Sequence, residues 1–118
     1  MKSFMVLCVD HRMYEDELAD CIPQGPYVLS FVGGAVGALK YFETLADEIK
    51  SLEAIKGPFD EIIIHDHMNC AAHGGSETKE DHVKIMCELE TKIASQFPHL
   101  KIKKSLVDIE SKKVEEHS

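Results

Sequence analysis

The chain has 118 residues, 44% hydrophobic and 29% charged, with a formal net charge of −8. That is one globular domain of ordinary size, with too much apolar content for wholesale disorder. The acidic balance argues against nucleic acid or an anionic membrane surface as the partner, and no apolar run approaches the roughly 20 residues of a membrane span.

In chain order, Phe4 to Val9 is a continuous apolar run of strand length, fit for burial on both faces. Glu15 to Ile22 reads as a short acidic helix stopped by Pro23 and Pro26. Tyr27 to Val32 is a second buried strand. Gly33-Gly34 then opens a long helix with a stripe of Val36, Leu39, Phe42, Leu45, Ile49 and Leu52, ended by Gly57-Pro58. Glu61 to Ile64 is a third strand, and His65 to Ser76 reads as a polar loop. Glu77 to Phe97 is a second long helix, with Val83, Met86, Leu89, Ile93 and Phe97 on one face. Lys101 to Ile109 alternates more and suits a sheet edge, and the charged tail over 110–118 is expected to fray. The alternation predicts an α/β domain over 1–118: three layers, a central, mostly parallel four-stranded sheet, and helices on both faces. Ligands of such sheets sit beyond the carboxyl ends of the strands, so chemistry is expected after strands one and three.

Strand one ends in Cys8-Val9-Asp10-His11-Arg12, and strand three leads into His65-Asp66-His67-Met68-Asn69-Cys70. Cys8, His67 and Cys70 make a Cys₂His set, the donors zinc prefers, with a fourth position left open. Asp10 and Arg12 alternate after Cys8 and share its face in extended backbone. Arg12 is the only arginine among 13 basic residues, and its planar fork can hold the Asp10 carboxylate by two parallel hydrogen bonds. Held, Asp10 leaves the metal open to water; released, it takes the fourth position. The plainer alternative makes Asp10 a helix cap and Arg12 a surface cation.

Other chemistries fit less well. A phosphatase loop needs arginine six positions after its cysteine, where Tyr14 and Ser76 stand. There is no Cys-x-x-Cys pair for thiol redox work. Gly33, Gly34 and Gly37 lack a full dinucleotide-binding pattern and a phosphate-binding lysine, and are expected to permit close strand–helix packing. Cys21 and Cys87 are expected to be structural thiols. The amino-terminal residues lack the signature of a secretory signal, so the cytoplasm is the expected compartment.

With Cys-x-Asp-x-Arg at Cys8, Asp10 and Arg12, and His-x-x-Cys at His67 and Cys70, the sequence resembles the β-class carbonic anhydrases. The glycine-bearing turn before a long helix is similar too, and the resemblance runs from about Phe4 to Gly74. It implies that Cys8, His67 and Cys70 bind Zn²⁺, that Asp10 is a switchable fourth ligand and that Arg12 is its partner. It implies hydration of CO₂ to bicarbonate by a zinc-bound hydroxide, in a homodimer or higher homo-oligomer. Val32 or Val36 would wall the substrate, and His11, His65 and His73 are candidate proton shuttles.

The departures are specific. Only seven residues precede Cys8, so the family's helical arm is not expected, and Met1 to Leu7 contain no counterpart of its substrate-binding glutamine. Phe31-Val32 replaces the family's Arg-Asn before the glycines, and Ala71 replaces its glycine after His-x-x-Cys. Two alternatives follow: hydrolysis of carbonyl sulfide or carbon disulfide, or a non-catalytic zinc module closed by Cys8, His67, Cys70 and Asp10.

Overall fold

The structure is a computed structural model that describes residues 2–8, 27–68, 78–108, 111 and 113–117. The helix expected over Glu15 to Ile22, the segment carrying Asp10, His11 and Arg12, and the one carrying Cys70 and His73 lie outside the described residues, as does Cys21. Strand β1 spans Ser3–Cys8, β2 Tyr27–Phe31, β3 Glu61–His67, β4 Lys101–Asp108 and β5 Lys113–His117. Helix α1 spans Ala35–Lys40, α2 Phe42–Lys56 and α3 Lys79–Gln96.

The sheet order is β2-β1-β3-β4-β5, with the first four strands parallel and β5 antiparallel to β4. Alternate residues of β1 and β3 point to opposite faces. Phe4, Val6, Ile62 and Ile64 meet Ala38, Leu45, Ile49, Met86, Leu89 and Ile93 in one buried cluster, so α1, α2 and α3 share a core with this face. Met5, Leu7, Ile63 and Val107, on the other face, are buried as well.

Four expectations are corrected. The carboxyl-terminal tail carries a fifth strand over 113–117 instead of fraying, with Val114 opposite Val107 and Lys79 of α3 ion-paired with Glu115. It covers the open edge that β4 would otherwise present, so Lys101–Asp108 is an inner strand and not the edge. At the other end, β2 has only β1 as a neighbour among the described residues, and Tyr27 and Val28 are exposed where full burial was expected. The long helix after Gly34 is two helices, parted at Tyr41, whose ψ of 42° leaves the helical range.

The reason for that break is a close approach. A Cβ on Gly37 would lie 2.2 Å from the Val32 carbonyl oxygen and 2.8 Å from the Phe31 Cβ. Helix α1 therefore buries only Ala35, Gly37 and Ala38, at a spacing no large side chain fits, while α2 buries Phe42, Leu45 and Ile49. The chain turns at Tyr41 to change from one packing distance to the other. Helix α3 starts in a reciprocal capping box, Thr78 Oγ1 accepting from the Asp81 N–H and Asp81 Oδ2 from the Thr78 N–H.

One cation is buried on the helix-covered face. Lys104 reaches Glu90 Oε1 at 2.6 Å and Cys87 Sγ at 3.6 Å. Burial pulls its pKa down, but the hydrogen bond and charge of Glu90 outweigh that and hold it above the ordinary lysine value.

Gly37→Ala tests the close approach. Alanine gains about 1 kcal/mol of helix propensity. Forcing a methyl against a backbone carbonyl costs about 1–3 kcal/mol or more, because a backbone atom cannot swing aside. The expected outcome is net loss of stability, read as a lower urea midpoint at unchanged m-value. A midpoint equal to or above the parent's would contradict this packing.

Candidate functional site

The strand order runs outward in both directions from the β1–β3 pair: β1 leads to β2 on one side, and β3 to β4 on the other. The carboxyl ends of β1 and β3 thus form the topological switch point, the usual ligand crevice of an open parallel sheet. Cys8 ends β1 and His67 ends β3, both buried. The last β1–β3 pair joins Leu7 to His65, so Cys8 lies abreast of Asp66 and His67 lies one residue beyond. His65 to His67 belong to β3, where a loop was expected, because pairing with Ser105, Leu106 and Val107 of β4 carries the strand onward.

His67 has a defined tautomer. Its Nδ1 lies 2.7 Å from the Met68 carbonyl oxygen, which can only accept, so Nδ1 carries the proton and Nε2 the lone pair. An imidazole held in this way is ready to ligate through Nε2. A thiol at Cys8 and this nitrogen, on neighbouring strand ends, suit zinc by donor type. Among the described residues, no group of three or more His, Cys, Asp or Glu side chains is gathered closely enough to hold a metal. The rest of the expected site, Asp10, Arg12 and Cys70, lies outside them.

Asp66 was not anticipated as part of this region. Its side chain is buried, Oδ1 accepts the Ala35 N–H at 2.9 Å, and Oδ2 lies 3.7 Å from His82 Nδ1. The carboxylate therefore supplies the α1 cap that Gly34, the residue at the N-cap position, cannot. Gly34 has φ of +61°, and a Cβ there would sit 2.3 Å from Asp66 Oδ1. The expectation that the glycines serve close packing is met at Gly34 and Gly37. His82 had a readable signal: His82, Met86, Leu89 and Ile93 recur at steps of four and three, and all are buried.

His65 does not fit the role of proton shuttle. It is 1% exposed, and its Nδ1 lies 2.6 Å from Ser105 Oγ. Burial pushes its pKa down, against the opposing pull of the Asp66 charge. It is a neutral strand residue with a hydroxyl partner, walled off from the solvent a shuttle must reach.

By sequence, no protein-family model and no curated protein matches the chain. By structure, it is similar to a carbonic anhydrase from Streptococcus mutans, with a TM-score of 0.66 at 19% identity over 98% of this chain and 81% of that one. A carbonic anhydrase from Glaciozyma antarctica follows at 0.58 and 18%, over 97% of this chain and 80% of that one. The β-carbonic anhydrase CafA of Aspergillus fumigatus gives 0.53 and 13%, over 99% and 75%. The chain has the β-carbonic anhydrase fold.

Ser105→Ala tests the structural reading of His65. Removing the hydroxyl leaves a buried imidazole nitrogen without its partner, at a cost of about 1–3 kcal/mol. Urea unfolding is expected to show that loss while metal uptake stays at the parent level. Parental stability would remove Ser105 as the partner that fixes His65.

Proposed function

We propose that this chain is a zinc-dependent hydratase of CO₂, with the metal held by Cys8, His67 and Cys70. The observation that carries the proposal is the placing of Cys8 and His67 on the neighbouring ends of β1 and β3, with the His67 Nδ1 proton directed at the Met68 carbonyl so that Nε2 bears the lone pair. The His-x-x-Cys spacing lets one short turn bring Cys70 to the same end. The fold, shared with proteins described as carbonic anhydrases, supports the same reading.

When bound, zinc supplies the Lewis acidity that brings the pKa of water towards neutrality. The chain's residues do the rest. Cys8 and Cys70 contribute thiolates, which moderate the metal's charge. Met68, through its carbonyl, keeps the His67 ring in the ligating tautomer. Asp10, paired with the Arg12 guanidinium, would stay clear of the metal and accept a hydrogen bond from the attacking water. Val32, 67% exposed just after β2, and the half-buried Val36 offer apolar surface to a substrate without charge. His11 and His73 remain the candidates for passing the released proton to solvent.

The proposed partner is thus a small molecule, CO₂ or bicarbonate, and the proposed assembly a homodimer. No helix among the described residues is long and apolar enough to cross a membrane.

The test is zinc content of protein purified without added metal, with stopped-flow CO₂ hydration at pH 7 and pH 9. Near-stoichiometric zinc with turnover at either pH is expected. His67→Ala and Cys70→Ala should each lose most of the zinc. Arg12→Lys should keep zinc but lose turnover, because an ammonium cannot make the two-pronged hold on Asp10. Zinc without activity at both pH values favours the closed Cys8, His67, Cys70 and Asp10 module, and absence of zinc ends the metal reading.

A further inference from the structure

Strand β3 spends a buried carboxylate where an apolar residue would pack. On the helix-covered face it runs Ile62, Ile64, Asp66, and the first two are fully buried in the core. Burying a carboxylate costs several kcal/mol unless it is well partnered, so a side chain in this position must be tied to its surroundings. Asp66 is hydrogen-bonded to one other element and lies beside a second. Oδ1 accepts the Ala35 N–H at the start of α1, and Oδ2 faces His82 Nδ1 of α3 at 3.7 Å.

A third element is close. The Cβ position of Gly34 lies 2.3 Å from Asp66 Oδ1 and 3.5 Å from the backbone nitrogen of Cys8. The last residue of β1 and the carboxylate at the end of β3 therefore both lie close to the turn before α1. Cys8 is abreast of Asp66 in the sheet, and His67 is its chain neighbour. Cys8 and His67, the expected metal ligands that the structure describes, both lie beside this point.

We propose that Asp66 is a positioning residue: it fastens the end of β3 to the start of α1, beside the end of β1, so that His67 and the neighbouring Cys8 are held in place before a metal arrives. This deepens the zinc reading above and rests on it for its metal readout. The positioning works through a hydrogen bond of fixed direction and not through charge alone. An asparagine, which keeps the acceptor for Ala35, should then preserve most of it, and an alanine should not. Gly34→Ala should mimic the alanine variant from the opposite side, since its methyl displaces the same carboxylate.

The experiment uses the full chain as parent, Asp66→Ala, Asp66→Asn and Gly34→Ala, each confirmed as folded by circular dichroism well below its melting temperature. Two readouts are taken. Zn²⁺ affinity is measured by competition with a chelator, together with the thiolate-to-metal absorption of the Co²⁺ form. In metal-free protein, the rate of Cys8 alkylation is followed by peptide mass spectrometry. Asp66→Ala and Gly34→Ala are expected to bind Zn²⁺ about tenfold more weakly, the low end of what outer partners of metal ligands contribute. Their Co²⁺ absorption should shift, and Cys8 should alkylate faster. Asp66→Asn should stay close to the parent in all three.

If Asp66→Ala does not fold, Gly34→Ala carries the comparison. Parental affinity, absorption and alkylation in a folded Asp66→Ala or Gly34→Ala variant overturn the proposal and leave Asp66 a helix cap. Equal losses in Asp66→Asn and Asp66→Ala overturn it too, because charge would then be the cause. A parent that binds no Zn²⁺ removes the metal reading by itself. Faster Cys8 alkylation in the alanine variants then supports the fastening of β3 to α1 beside the end of β1, and an unchanged rate overturns it.

Discussion

The parallel pairing of β1 with β3 is the constraint from which the rest of this molecule follows. It brings together residues far apart in sequence in a fixed register, Ser3 with Glu61 through Leu7 with His65. Parallel neighbours cannot be joined by a tight turn, so the chain must cross over through helical segments between them. Because β2 lies on the far side of β1 and β4 on the far side of β3, the crossovers diverge at this pair. The gap they leave lies where Cys8 and His67 end their strands. A register shifted by one residue would turn all of β1 over and bury the wrong set of side chains.

The pairing also decides what can pack above it. Helix α1 must begin close to the strand ends, and only glycine fits at 34 and 37. At Gly34 the space is taken by the Asp66 carboxylate and at Gly37 by the backbone after β2. The site and the core are thus coupled through small contacts. Gly34, which lets α1 approach, also lies against the ends of the strands that bear the proposed ligands Cys8 and His67.

Much of this was legible in the sequence. Three of the four parallel strands were readable as apolar runs bounded by proline, glycine or charge, and the fourth, Lys101–Asp108, by its alternation. Zinc chemistry restricts donor type and spacing, which is why the sequence singles out Cys8, His67 and Cys70; the structure describes the first two, at neighbouring strand ends. What escaped was tertiary in origin. Lys113–His117 has one strongly apolar residue, Val114, and becomes a strand only because β4 offers an edge to pair with. The break at Tyr41 reflects a change of packing distance between α1 and α2, which a hydrophobic stripe does not encode. His65 to His67 looked like loop because polar residues were read as exposed, while each is buried with a specific partner or neighbour. The Asp10, Arg12 and Cys70 expectations fall on segments outside the described residues.

The polar end of β3 shows how such residues divide by task. His65 faces away from the helices, is held by Ser105 and is kept neutral by burial, so it serves the sheet. Asp66 faces the helices, accepts the Ala35 N–H at the start of α1 and lies beside His82 of α3. His67 ends the strand with its tautomer fixed by its own neighbour's carbonyl, so that Nε2 carries the lone pair. Three consecutive buried polar residues would be a costly lapse in a strand whose only work was packing. Local rules of sheet composition give way where a site is built, and here they give way over the three residues that finish the strand at the switch point.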